Sequence, residues 1–190
     1  MPYRRRITIR RQSGGGPCNF PGYAALDQVV TRAWAIVNVV GSAYGPVQGS
    51  RREGRSVVDD VQLARDIYDA FGRGDVSAVL GMMDPDIEWR EAEGNPYKPD
   101  GKAWLGPDAV LNNLFIKLGT EWDGFTVHPM EFLDAGSAVV VEVRYSGVYK
   151  QTGKSLDAQV CHVLKMRDGK LASFQQYVDT GQLQDVMGAR

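Results

Sequence analysis

The sequence predicts an α+β domain whose helices gather on one face of a curved antiparallel sheet. Three observations carry that prediction. Helical apolar spacing dominates the stretch from Asp59 to Leu118. Long runs rich in β-branched and aromatic residues fill the stretch from Phe125 to Thr180. The last two of those runs are joined by Arg167-Asp168-Gly169-Lys170, an Asp-Gly hairpin signal. One-sided packing of helices on an antiparallel sheet suits helices followed by strands.

In DDVQLARDIYDAFGRGD, residues 59–75, the apolar positions Val61, Ala64, Ile67, Tyr68 and Phe71 recur every three or four residues, as one buried helical face requires. Ser56 or Asp59 caps this helix, and Gly72 and Gly74 stop it. Asp75 is placed to cap a short second helix over 76–83, which Asp84-Pro85-Asp86 ends. IEWREA, 87–92, then reads as a strand. After a loop, GPDAVLNNLFIKLG (106–119) has Pro107 in its first turn and Leu111, Leu114, Phe115 and Leu118 along one stripe. Strands follow over 125–136, 137–150, 155–166 and 170–180. Asp179 or Thr180 caps a last short helix over 181–188.

The chain has 190 residues, 43% of them hydrophobic and 24% charged, a globular balance with room for one domain and an extension. No apolar run approaches the roughly 20 residues of a membrane span, so no membrane partner is expected. The net charge of −1 divides unevenly: residues 1–58 hold nine Arg, no Lys and two acids, net +7, and the remainder is −8. Residues 1–58 therefore read as a basic, poorly ordered extension with at most one short helix around Gln28 to Val40, and 59–190 as the domain. The abrupt change in Arg and Lys usage also fits an over-extended gene start. The Arg cluster lacks interleaved aromatics, which argues against nucleic-acid binding. Asp27, Arg32 and Asn38 interrupt the apolar run that an export signal needs. Cys18 and Cys161 have no metal-ligand spacing, and Cys161 reads as a buried thiol in a reducing, cytoplasmic setting. With only His128 and His162 as imidazoles and no Gly-rich phosphate loop, neither a metal nor another cofactor is expected.

ARDIYDAFGRGDVSAVLGMMDPDIEWREAEG (64–94), GKAWLGPDAVLNNLF (101–115) and HVLKMRDGKLASFQQYVDT (162–180) resemble the SnoaL-like and ketosteroid-isomerase-like branch of the nuclear transport factor two superfamily. The resemblance implies a cone-shaped, cystatin-like barrel with three N-terminal helices on the concave face of the sheet, enclosing an apolar cavity. Its specificity is for the fold. The superfamily includes isomerases, cyclases, dehydratases, hydrolases and non-enzymatic binders, and fold alone does not choose among them.

Strand alternation sorts the candidate residues. Ile87, Trp89 and Glu91 share one face, and Glu91 falls where the resemblance places the general base of ketosteroid isomerases. Burial beside Trp89 would raise its pKa toward that task. The competing reading is a rim carboxylate paired with Lys98 or Lys102. His162 shares its face with Val160 and Leu164 and, by resemblance, sits near the isomerases' oxyanion-stabilising aspartate, a role for which a hydrogen-bond donor suffices. The competing reading is a core histidine bonded to a nearby Tyr or carboxylate. Gln176 is a departure: SnoaL-like cyclases carry an acid there, and Gln accepts no proton at neutral pH. The isomerase tyrosine has no clear match beyond Tyr68. Tyr145 and Tyr149 are in phase with Val139, Val141 and Val143. Tyr97 and Trp104 lie on a loop with the composition of a lid. The expected catalytic pair is Glu91 and His162, with Trp89, Tyr97, Trp104, Tyr68, Tyr145 and Gln176 around an apolar, oxygen-bearing ligand. The function is then either isomerisation or cyclisation next to a carbonyl, or binding or dimerisation without chemistry. Valine- and tyrosine-rich strands also predict a homodimer through the exposed sheet face.

Overall fold

The computed structural model describes residues 57–98 and 100–189. The expectations for the basic extension and for Cys18 therefore lie outside the described residues. Helix α1 (Val57–Gly72) buries Ala64, Ile67, Tyr68 and Ala70. Asp59 falls inside its first turn rather than at its cap. Asp75 caps α2 (Val76–Gly81) as the sequence predicts, its side chain accepting from Ala78 N–H at 2.9 Å.

Strand β1 (Met83–Arg90) begins four residues earlier than the alternation at Ile87 suggested, taking in Asp84-Pro85-Asp86. That start is irregular, because the register against its neighbour shifts between Met83 and Glu88. A two-residue strand the sequence did not signal, β2 (Trp104–Leu105), pairs with β1. The third helix is composite: α3 (Pro107–Val110), a π-helical turn (Leu111–Phe115) and α4 (Ile116–Glu121). Its wider turn lets Leu111, Leu114 and Phe115 all face inward.

Long strands β3 (Trp122–Asp134), β4 (Val139–Tyr149), β5 (Ser155–Arg167) and β6 (Lys170–Val178) follow, then α5 (Thr180–Met187). Asp168 and Gly169 both have positive φ, 52° and 73°, the geometry of a tight Asp-Gly hairpin between β5 and β6. The sheet order is β2-β1-β6-β5-β4-β3, and the curved sheet does not close. Every pairing is antiparallel except β1 with β6, which is parallel. The antiparallel run expected from the sequence holds for the four long strands, and the parallel pairing of β1 with β6 is an addition to it. Helices cover the concave side, and the core sits between them and the sheet. Among the described residues no helix is long and apolar enough to cross a membrane.

Candidate functional site

A cavity of about 70 Å³ lies between α1, the composite third helix and the concave face of the sheet. One water needs only about 10–15 Å³ of such space, so several waters or a small organic group fit. Most of its wall is apolar: Phe71, Phe115, Leu118, Phe125 and Leu164 are examples. Four polar side chains within it are almost fully buried: Glu91, Asn95, His162 and Gln176.

Glu91 follows the last residue of β1, two positions after Trp89, so strand alternation carries both side chains inward. The Trp89 indole stacks on Phe174 of β6, with centroids 3.7 Å apart, and meets Phe115 edge-on. Held there, its Nε1–H donates to Glu91 Oε1 at 2.6 Å. Asn95 Nδ2 donates to the other oxygen at 2.8 Å. Desolvation raises the Glu91 pKa to about 7, and the hydrogen bond from Trp89 offsets only part of that rise. The carboxyl therefore changes charge near neutrality. It is not a rim carboxylate, and Lys98 pairs with Asp100 instead.

His162 projects inward from β5 between two tyrosines. Its Nδ1 lies 2.5 Å from the Tyr68 hydroxyl of α1, and its Nε2 lies 2.7 Å from the Tyr145 hydroxyl of β4. Burial without a charged partner lowers its pKa to about 3, so the ring is neutral. Both tyrosines are pushed well above their ordinary value, first by burial. His162 is thus a core histidine bonded to tyrosine, and it also faces the same cavity as Glu91. Because both ring nitrogens are engaged, the hydroxyls of Tyr68 and Tyr145 are the groups able to polarise a cavity occupant.

Gln176 joins the two ends of the site. Its Nε2 donates to Tyr145 Oη at 3.1 Å, and its Oε1 accepts from Asn95 Nδ2 at 3.0 Å. Tyr97 lines the cavity, but it is fastened rather than loose. Its hydroxyl donates to Glu121 at 2.8 Å and accepts from Trp122 Nε1 at 2.8 Å. Trp104 is a correction. It is buried on β2, cross-strand from Trp89, and lies apart from the cavity wall. Tyr149 also stays out of the wall, with its hydroxyl on Glu121 at 3.4 Å. Asn95 is the residue that sequence reasoning missed. It lies in a turn, where alternation assigns no face, and its one sequence cue is its place just after Gly94. Among the described residues no group of three or more His, Cys, Asp or Glu is placed to hold a metal ion.

The SnoaL-like domain family matches residues 64–174, more than half of the chain, and these residues carry the whole polar wall except Gln176. The chain belongs to the SnoaL-like family. An NTF2-like protein from Burkholderia thailandensis is 37% identical to this SnoaL-like chain, with a TM-score of 0.63 over 67% of this chain and 96% of that one. TerC, crystallised with polyporic acid, is 25% identical, with a TM-score of 0.60 over 68% and 98%. A protein with a ketosteroid isomerase-like fold from Catenulispora acidiphila, in complex with trimethylamine, shares the fold at 15% identity, TM-score 0.56, over 67% and 92%. Comparison with curated proteins gave no match. Similar folds crystallised with different molecules leave the chemistry of this SnoaL-like chain to its own site.

Proposed function

We propose that this chain binds a small, apolar, oxygen-bearing molecule and catalyses cofactor-independent proton transfer next to its carbonyl, as in an isomerisation or cyclisation. One observation carries the reading: a buried carboxyl with a pKa of about 7 faces the same cavity as two tyrosine hydroxyls bridged by a neutral histidine. In this reading Glu91 removes the proton from carbon, and Tyr68 or Tyr145 donates to the developing enolate oxygen. His162 and Asn95 are positioning residues, the first for the tyrosines and the second for the carboxylate. The co-crystallisation of the similar protein TerC with polyporic acid supports an oxygen-bearing ligand.

The test is exchange of α-hydrogen for deuterium in a panel of small ketones, followed by NMR. Glu91→Gln should slow exchange by at least about a hundredfold, the lower end of general-base contributions. Equal exchange by the two proteins would remove Glu91 as the base.

A second reading is a binding module without chemistry. Its support is that both Glu91 oxygens are already occupied by Trp89 and Asn95 in a small cavity. Ketone binding with no exchange at carbon in wild type would select it. Self-association through the outer sheet face is proposed alongside, because partly exposed Val140 and Val163 sit cross-strand near Tyr177, which is 57% exposed.

A further inference from the structure

The polar wall is one hydrogen-bonded chain whose direction follows from the backbone. The Tyr97 N–H donates to Asn95 Oδ1 at 3.0 Å. The Asn95 nitrogen must then face the other way, where it donates to Glu91 Oε2 and to Gln176 Oε1. The Ala92 N–H also donates to Gln176 Oε1, at 3.4 Å. Two donors on one atom fix the Gln176 amide, so its nitrogen faces Tyr145 and donates to the hydroxyl oxygen.

Beyond that point three groups carry three hydrogens: the Tyr145 hydroxyl, the neutral His162 ring and the Tyr68 hydroxyl. The two bonds that join them use two. With Nδ1 protonated, the ring donates to Tyr68 and the Tyr68 hydrogen is left over. With Nε2 protonated, the ring donates to Tyr145 and the Tyr145 hydrogen is left over. Either way one hydroxyl hydrogen remains, and among the described residues it has no acceptor. A buried donor without an acceptor is costly, so an occupant that accepts from it is favoured.

We propose that Gln176 sets the polarity of the cavity, so that ligands enter through a hydrogen-bond acceptor, a carbonyl or enolate oxygen, seated on the Tyr68 and Tyr145 hydroxyls. A carboxylate at 176 would have no hydrogen to give Tyr145. Tyr145 would then donate to it, His162 Nε2–H to Tyr145, and Tyr68 to His162 Nδ1. No hydrogen would be left over, and the wall would offer lone pairs alone. Gln176 is on this account a specificity-determining residue. The inference rests on the reading of the cavity as a ligand site and does not need Glu91 to act as a base.

The experiment compares two five-membered rings of similar size: cyclopentanone, an acceptor with no donor, and pyrrole, an N–H donor with no lone-pair acceptor. Binding is measured by ligand-observed NMR to wild type, Gln176→Leu and Gln176→Glu, each shown to be folded by its thermal melt. Wild type should favour cyclopentanone on the order of tenfold, the consequence of one unpaired buried donor. Gln176→Leu frees a lone pair on Tyr145 and should bring the ratio toward parity, while Gln176→Glu should invert it. If Gln176→Glu does not fold, Gln176→Leu decides. Equal binding in wild type, or a preference unchanged in Gln176→Leu, would overturn the inference while leaving the cavity a ligand site. Binding of neither ring at millimolar concentration would overturn both. Absence of Glu91-dependent exchange would overturn only the catalytic proposal.

Discussion

Replacing Glu91 by Gln should change how stability depends on pH, and two buried groups set the size of the effect. Glu91 titrates near 4.5 in an unfolded chain and at about 7 in the folded one. Its folded pKa is raised, so between those values the folded state holds the extra proton and stability falls as pH rises, by about 3 kcal/mol in all. His162 titrates near 6.5 unfolded and at about 3 folded. Its folded pKa is lowered, so between those values the unfolded state holds the extra proton and stability rises with pH, by about 1.4 kcal/mol per unit. From pH 4.5 to 6.5 the two slopes oppose one another, and in wild type they nearly cancel. Glu91→Gln leaves only the rising slope. Its stability relative to wild type should therefore grow by about 3 kcal/mol between pH 4.5 and 7, on the order of 10 °C in midpoint for a domain of this size. Thermal and urea unfolding of both proteins at half-unit pH steps measures this directly. Parallel curves, with a constant difference across the window, would refute the burial argument for Glu91.

Three further outcomes follow from the same contacts. In His162→Leu only the Glu91 slope remains, so its stability in urea unfolding should rise by about 2 kcal/mol as pH falls from 6 to 4.5, where wild type stays nearly level, whatever its absolute value. Tyr97→Phe leaves Trp122 Nε1 unpaired and Glu121 with only the longer bond from Tyr149, and should cost about 1–2 kcal/mol in urea unfolding; an unchanged midpoint would show that the bonds are not formed in solution. Sedimentation should show a dimer that Val163→Lys dissociates, and a wild-type monomer at high micromolar concentration would remove the proposed face.

The inward row Ile87, Trp89 and Glu91, and the row Val160, His162 and Leu164, were legible because a strand half covered on one side writes its burial at every second residue. The Asp75 and Asp179 caps and the Asp168-Gly169 hairpin were legible because each depends on local backbone geometry. Asn95 was not, since its role depends on a turn bringing it against Glu91 and on a strand over 80 positions later supplying Gln176. Trp104 misled because its loop-like surroundings hide a two-residue strand that pairing with β1 alone creates. The parallel contact of β1 with β6 was likewise invisible, as no local signal distinguishes which distant strand becomes a neighbour.

That contact has a consequence for how the molecule comes into being. Strand β6 is inserted between β1, made early, and β5, made just before it. During synthesis β1 has no large neighbour until nearly the whole chain has left the ribosome, and the loop that must be closed to reach it is long, which slows that step. Gln176 arrives on this late strand, so the two halves of the polar wall are strangers until the final hairpin docks. A nascent chain halted before β6 would expose Trp89 to water, which gives its fluorescence as a clock for the completion of the fold.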